Sequence, residues 1–230
     1  LMNAALVGVL GWRLGLGPAG AWTAAGVWAL HPLAVETLAY AISRTEVIAA
    51  FGVLSMCVLA AGAWWRPSVL LLIGLMWLVG LGGKESAIVG LWLVPLVARP
   101  PPRLARLSRA TVATVAVLGL GVVIASAQAG EGPGARIEWG PWLALQATAA
   151  VRLFRLTLIP LGQTIDYDYD LVARWWHFVY VGLLGLLVGL TLWLWSRRRV
   201  AAIGLAWMLL VVLPRLIVQT PRSYFNEHQW

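Results

Sequence analysis

Runs of 15 to 22 apolar residues, rich in Leu, Val, Ala, Gly and Trp, succeed one another along most of this chain, and they leave few folds open. A soluble fold needs polar surface. With 61% hydrophobic and 11% charged residues and a mean hydropathy of +0.83, these 230 residues have too little of it. The runs also lack the alternation of apolar and polar residues that marks an outer-membrane barrel strand. Each comes close to the ~20 residues that cross a bilayer as a helix, where every backbone N–H and C=O must be satisfied within the segment. The predicted fold is therefore all-α and integral to a membrane, a polytopic helical bundle of seven to eight transmembrane helices in one domain over residues 1–230. The single cysteine, Cys57, lies inside an apolar run and reads as core filler.

The spans fall near residues 1–16, 19–31, 46–65, 68–83, 85–98, 110–129, 175–196 and 200–219. The first is short and opens without Met or a flanking charge, so the chain reads as a piece of a longer protein. The runs at 19–31 and 85–98 fall short of a full crossing, which draws the polar residues after them to the membrane surface. Orientation follows from charge. With the odd-numbered connections in the cytoplasm, nine arginines lie inside (13, 66, 99, 103, 106, 109, 197, 198 and 199), and eight basic residues share the outer side with all nine acids. The net charge of +8 is then mostly a topology signal, and nucleic acid need not be invoked as a partner.

One stretch tests this map. "WLALQATAAVRLFRLTLIP", residues 142–160, is apolar enough for another span, but a span there would put "SRRR" outside. It is assigned instead to an amphipathic helix at the outer interface, with Arg152 and Arg155 on its polar face, inside a large outer loop over residues 130–174.

Four outer clusters then lie at one depth: residues 31–46, 82–86, 166–170 and 221–230. His31 before Pro32 can be only a helix stop, because proline disfavours the helical conformation of the residue before it. A helix from Leu33 to Arg44 would stack Glu36, Tyr40 and Ser43 or Arg44 on one face, as a site or as a solvated surface. Lys84 and Glu85 sit between two apolar runs with almost no loop, where ionisable residues tend to be functional or paired with each other. In "DYDYD" an extended backbone would turn the carboxylates of Asp166, Asp168 and Asp170 to one side and the rings to the other, as a sugar-binding wall or a plain loop. Glu227 and His228 have the residue types for acid–base work.

Carboxylates at an outer leaflet suit a general base for an incoming hydroxyl, and Arg and Lys near the headgroup plane suit a phosphate. The combination fits an enzyme acting on a lipid-linked phosphosugar. No P-loop glycines, zinc-type His and Cys spacing or nucleophile-elbow serine are present.

Five stretches taken in order resemble one family. "HPLAVETLAYAISRTEVIAAFG" resembles an outer-loop motif of the form H-P-x-x-x-E followed by an Arg with an acid two positions later, matched by His31, Pro32, Glu36, Arg44 and Glu46. "LMNAALVGVLGWRL" resembles the preceding helix, "LGGKESAIVGLWLVPL" a Lys-Glu hairpin, "AAVRLFRLTLIPLGQTIDYDYD" an Arg-containing surface helix ending in an Asp-Tyr element, and "LAWMLLVVLPRLIVQTPRSYFNEHQW" a late helix leading to Asn-Glu-His. The family is that of the polytopic glycosyltransferases with C-terminal tetratricopeptide repeats, which includes the transmembrane O-mannosyltransferases. The resemblance implies a GT-C fold and transfer of a sugar from a polyprenyl or dolichyl phosphate to a protein or glycan hydroxyl outside the cytoplasm. It also implies a cavity lined by Glu36, Arg44, Glu46, Lys84 and Glu85. Glu36, Glu46, Asp166 and Asp168 are the expected catalytic or orienting acids. His31, Arg44, Lys84, Glu85, Arg222, Glu227 and His228 are the expected substrate-binding residues, with Arg44, Lys84 and Arg222 on the donor phosphate. The expected ligands are membrane lipid and the lipid-linked phosphosugar; no cofactor is assigned, and a divalent metal is left open. The family's principal catalytic acid would lie before Leu1, and no 34-residue repeat period is present.

Two other classes compete. A transporter, flippase or polysaccharide ligase of lipid-linked sugars would also want charges at a membrane cavity, with ionisable groups at mid-membrane depth and on both faces. A structural subunit would leave Lys84, Glu85 and Glu36 without a purpose. The abundance of Ala, Gly, Trp and Arg over Lys points to a bacterial cytoplasmic membrane with a periplasmic site, the endoplasmic reticulum being the other compartment open to such a protein.

Overall fold

A computed structural model of the chain describes residues 1–34, 44–62, 66–98, 121, 139–161 and 177–217. Among them there is helix and no strand, as the unbroken apolar runs require. The helices gather into two compact units, Leu1–Gly119 and Leu120–Trp230.

In the first unit, α1 (Met2–Leu14) and α2 (Gly17–Leu30) form an antiparallel hairpin. Gly15 and Gly17 make the turn at φ 99° and 72°, a left-handed conformation that side chains resist. Pro18 lies in the first turn of α2, where its missing N–H is no loss. Small residues let the two helices approach: a Cβ on Gly8 would lie 3.2 Å from that of Ala25. The turn between the helices takes only two residues.

Helix α3 (Arg44–Ala60) runs parallel to α1 and is the centre of this unit. It packs against α1, α4 (Pro67–Gly83), a 3₁₀ turn (Glu85–Val89) and α5 (Gly90–Val97). Met56 and Cys57 of α3 are fully buried, with Leu93 and Val97 of α5. Helices α3 and α4 cross in backbone contact: a Cβ on Gly52 would fall 2.6 Å from Gly80 Cα and from Met76 O. Close crossings at small residues are how helices associate in lipid, where burial of apolar area drives little.

These directions sort the polar residues by end. The start of α1, the finish of α2, the start of α3 and the finish of α4 share one end of the unit. The Gly15–Gly17 turn, Arg13, Gly62 and Arg66 belong to the other. The expected spans at 1–16, 19–31, 46–65 and 68–83 correspond to these helices, whereas 85–98 divides into the 3₁₀ turn and the short α5.

In the second unit, α6 (Trp139–Leu158), α7 (His177–Trp195) and α8 (Arg199–Ile217) pack on one another. The helix expected over 142–160 is α6, which buries Trp142, Leu145, Gln146 and Leu156 and leaves Arg155 exposed. The Arg155 guanidinium reaches forward to Leu161 O at 3.1 Å, covering a carbonyl beyond the helix end.

Among the described residues one helix is long and apolar enough to cross a membrane, by length and composition: the 18 residues Phe178–Trp195 of α7. Only 6% of that segment is buried inside the molecule, so its Leu, Val and Trp side chains face the surroundings. Met2–Leu14, Pro67–Gly83, Ser86–Val97 and Arg199–Leu213 are apolar but shorter. Of the expected span at 110–129 only Gly121 is described.

Candidate functional site

Two of the residues singled out in the sequence meet. Lys84 Nζ donates to Glu46 Oε1 at 2.5 Å, joining residues 38 positions apart. Local structure explains why they can. Gly83 closes α4 against α3, where a Cβ would fall 2.7 Å from Thr45 O and 2.9 Å from Ala49 N. Lys84 then leaves the helix in an extended conformation, φ −157° and ψ 144°, while its N–H still bonds Gly80 O at 3.0 Å. Its own carbonyl accepts Ala87 N–H at 3.0 Å and so starts the 3₁₀ turn. One residue serves as the whole connection.

The electrostatics favour this placement twice. Glu46 lies in the first turn of α3, the positive end of that helix dipole, and Lys84 at the C-terminus of α4, the negative end. The lysine side chain is only 13% exposed and the glutamate 44%. Removing the glutamate would take a counter-charge from a lysine in a poorly solvated place, whereas the glutamate keeps much of its contact with the surroundings. The neighbour Glu85 opens the 3₁₀ turn; its side chain lies outside the described residues. The acid that Lys84 meets among the described side chains is the distant Glu46.

His31 closes α2 with ψ 130°, the conformation that Pro32 imposes, and its Nδ1 accepts Leu33 N–H at 3.3 Å. Its helix-stop role is therefore visible in the backbone, and α2 brings it to the same end of the unit as Lys84. Arg44 opens α3 and is exposed. It precedes Glu46 by two residues, about 200° around a helix, so the basic and acidic members of the motif do not share a face. Glu36, Asp166, Asp168, Arg222, Glu227 and His228 lie outside the described residues. Among the described residues no group of three His, Cys, Asp or Glu is placed to hold a metal ion.

Two polar side chains that the sequence reading passed over, or counted only as charge, hold α1 to α3. The buried Asn3 donates from Nδ2 to Val47 O at 3.0 Å, one residue beyond Glu46. At the far end Arg13 Nη1 donates to Val58 O at 2.6 Å. Val58 O lies in the last turn of α3 and loses its ordinary helical donor, because Gly62 N–H turns to Leu59 O instead, at 3.1 Å. A Cβ at Gly62 would fall 2.6 Å from the same guanidinium nitrogen. A lone Asn in an apolar run was the available signal for the first of these.

No protein-family model, curated protein or solved structure matches this chain.

Proposed function

We propose that this chain is part of a polytopic membrane glycosyltransferase of GT-C type. It transfers a sugar from a polyprenyl or dolichyl phosphate to an acceptor hydroxyl on the non-cytoplasmic side. The observation that carries this reading is the contact of Lys84 with Glu46 at one end of the first unit, away from the Arg13 end. An ammonium has three donors, and the Glu46 contact brings them to this end of the unit. Glu46 fixes the direction of the amine, and Arg44, on another face of α3, adds positive charge at the same end of that helix. The donor phosphate binds there, its lipid lying along the exposed apolar helices. The family resemblance adds Glu36, Asp166 and Asp168 as the acids that would orient the acceptor, and His31 lies at the Lys84 end of the first unit.

The test uses full-length protein in membranes, with radiolabelled polyprenyl-phosphate sugar and an extract of acceptors. Lys84→Met and Arg44→Met should each lower transfer at least tenfold, and Lys84→Arg should retain part of it. Full transfer by both methionine variants would remove the phosphate site. Movement of the donor across the bilayer without a transfer product would replace the transferase with a flippase.

A further inference from the structure

Three lengths inside the first unit agree, and all are short for a bilayer. Helix α2 has 14 residues, none of them charged, between the Gly15–Gly17 turn and the stop at His31, a rise of about 21 Å. The 3₁₀ turn and α5, of five and eight residues, lead from Lys84 to Ala98 over at most about 22 Å. Along α3, the carbonyl that Arg13 binds, Val58 O, follows Glu46 by twelve residues, about 18 Å. Tilt would make each of these depths smaller. Even α3 and α4 as wholes, at 17 residues each, rise only about 26 Å.

Charge marks both ends of the α3 length. At one end Lys84 meets Glu46. At the other Arg13 Nη1 is held on Val58 O at 2.6 Å, with Gly62 close against the same nitrogen, so this guanidinium is pinned at its depth. Trp12 and Trp22 stand exposed on either side of the neighbouring turn, as residues of an interfacial aromatic belt do. In a hydrocarbon core of ~30 Å, either the Lys84–Glu46 pair or Arg13 would lie roughly 10 Å inside the apolar layer, where charge is costly. Lifting the hairpin into water is no remedy, because Trp22, Val27 and Leu30 of α2 are large, apolar and exposed. A bilayer meets a short apolar length by thinning, at modest cost for each ångström. Helix α7 makes no such demand: its 18 apolar residues rise about 27 Å.

We propose that the first unit thins the bilayer around it to a hydrocarbon layer of about 20 Å, and that its partner is a shell of phospholipid with short or compressed acyl chains. The thinned layer brings the headgroups of one leaflet to Lys84 and Glu46 and those of the other to Arg13. The inference rests on the membrane reading proposed above and takes nothing from the transferase chemistry.

The experiment places a nitroxide on single cysteines in the full-length protein, Ala19→Cys, Thr23→Cys, Val27→Cys and Leu30→Cys on α2 and Leu186→Cys on α7, all at exposed positions. The native Cys57 is fully buried and stays unlabelled. In dioleoylphosphatidylcholine vesicles, the depth of each label is read from its collisions with oxygen against those with a nickel chelate. The label at 186, midway along α7, should read about 15 Å, half of an ordinary core. Those at 19 and 30 should both read headgroup depth, and the deepest α2 label, at 23 or 27, about two thirds of the α7 value. A label on α2 as deep as the one on α7 would overturn the thinning. So would a depth that increases steadily toward 19, the mark of a hairpin that ends inside the bilayer. Chelate access at all four α2 labels with the α7 label protected would overturn it too and leave α7 in the membrane; access at the α7 label as well would overturn the membrane reading with it.

Discussion

Lys84 and Glu46 show how much a single contact asks of its surroundings. The pair is neither buried in the core nor free in water, so its loss should fall between the cost for an exposed pair and that for a buried one. Glu46→Gln is expected to destabilise the protein by about 1–2 kcal/mol, read as a lower melting temperature in detergent, because the 13%-exposed lysine loses the charge of this carboxylate. Exchanging the two, as Glu46→Lys with Lys84→Glu, restores the attraction but sets both charges against their helix dipoles. That double variant should recover stability only in part, by less than about 1 kcal/mol; full recovery would mean that the dipoles contribute nothing here. The importance of Lys84 was legible in the sequence, since an ammonium between two apolar runs needs a partner. That Glu46 meets it was not, because only the antiparallel register of α3 and α4 brings the two together. The same holds for Arg13, legible as charge and illegible as the cap of a helix 45 residues later.

Helices were the easiest elements to read, because apolar runs of this length without water admit little else. The close approach of α3 to α4 was not readable, since the chain has 24 glycines and most of them look alike. The contrast between two of these glycines is a direct test. At Gly52 a methyl group would enter the Gly80 backbone, and Gly52→Ala is expected to cost about 2–3 kcal/mol by forcing the helices apart. At Gly74, also on α4, a Cβ would meet nothing within 4 Å, and Gly74→Ala should be neutral or stabilising by up to about 1 kcal/mol. Thermal unfolding of the two variants side by side gives the answer; equal stability would refute the backbone contact. The division of 85–98 into a 3₁₀ turn and α5 was likewise hidden, because the extended Lys84 sets it, and hydropathy does not register backbone direction.

Across the whole molecule, the charge map makes one statement about sides. The Lys84 end of the first unit should face outward and the Arg13 end the cytoplasm. Ser86 and Ser68 are exposed at these two ends, and the only native thiol, Cys57, is fully buried and silent toward reagents. A membrane-impermeant maleimide added to intact cells should therefore label Ser86→Cys, and Ser68→Cys only after permeabilisation. The reverse pattern would invert the assignment. Large exposed apolar side chains such as Leu71, Leu186 and Leu192 fit the same picture, for they would be costly in water and are ordinary in lipid. The all-helical make-up of the described residues was legible in the apolar runs; the candidate site was legible only as a set of residue types, because most of its members come from stretches remote in the chain.

The two bonds from α1 to α3 also bear on how such a chain is made. Helix α1 is made before α3 and carries Asn3 and Arg13, and the carbonyls they bind, Val47 O and Val58 O, follow 44 and 45 residues later. Until α3 arrives, both side chains need other partners. The α1–α2 hairpin therefore has two polar side chains that find their places only when α3 docks, so its packing is completed by a helix made after it.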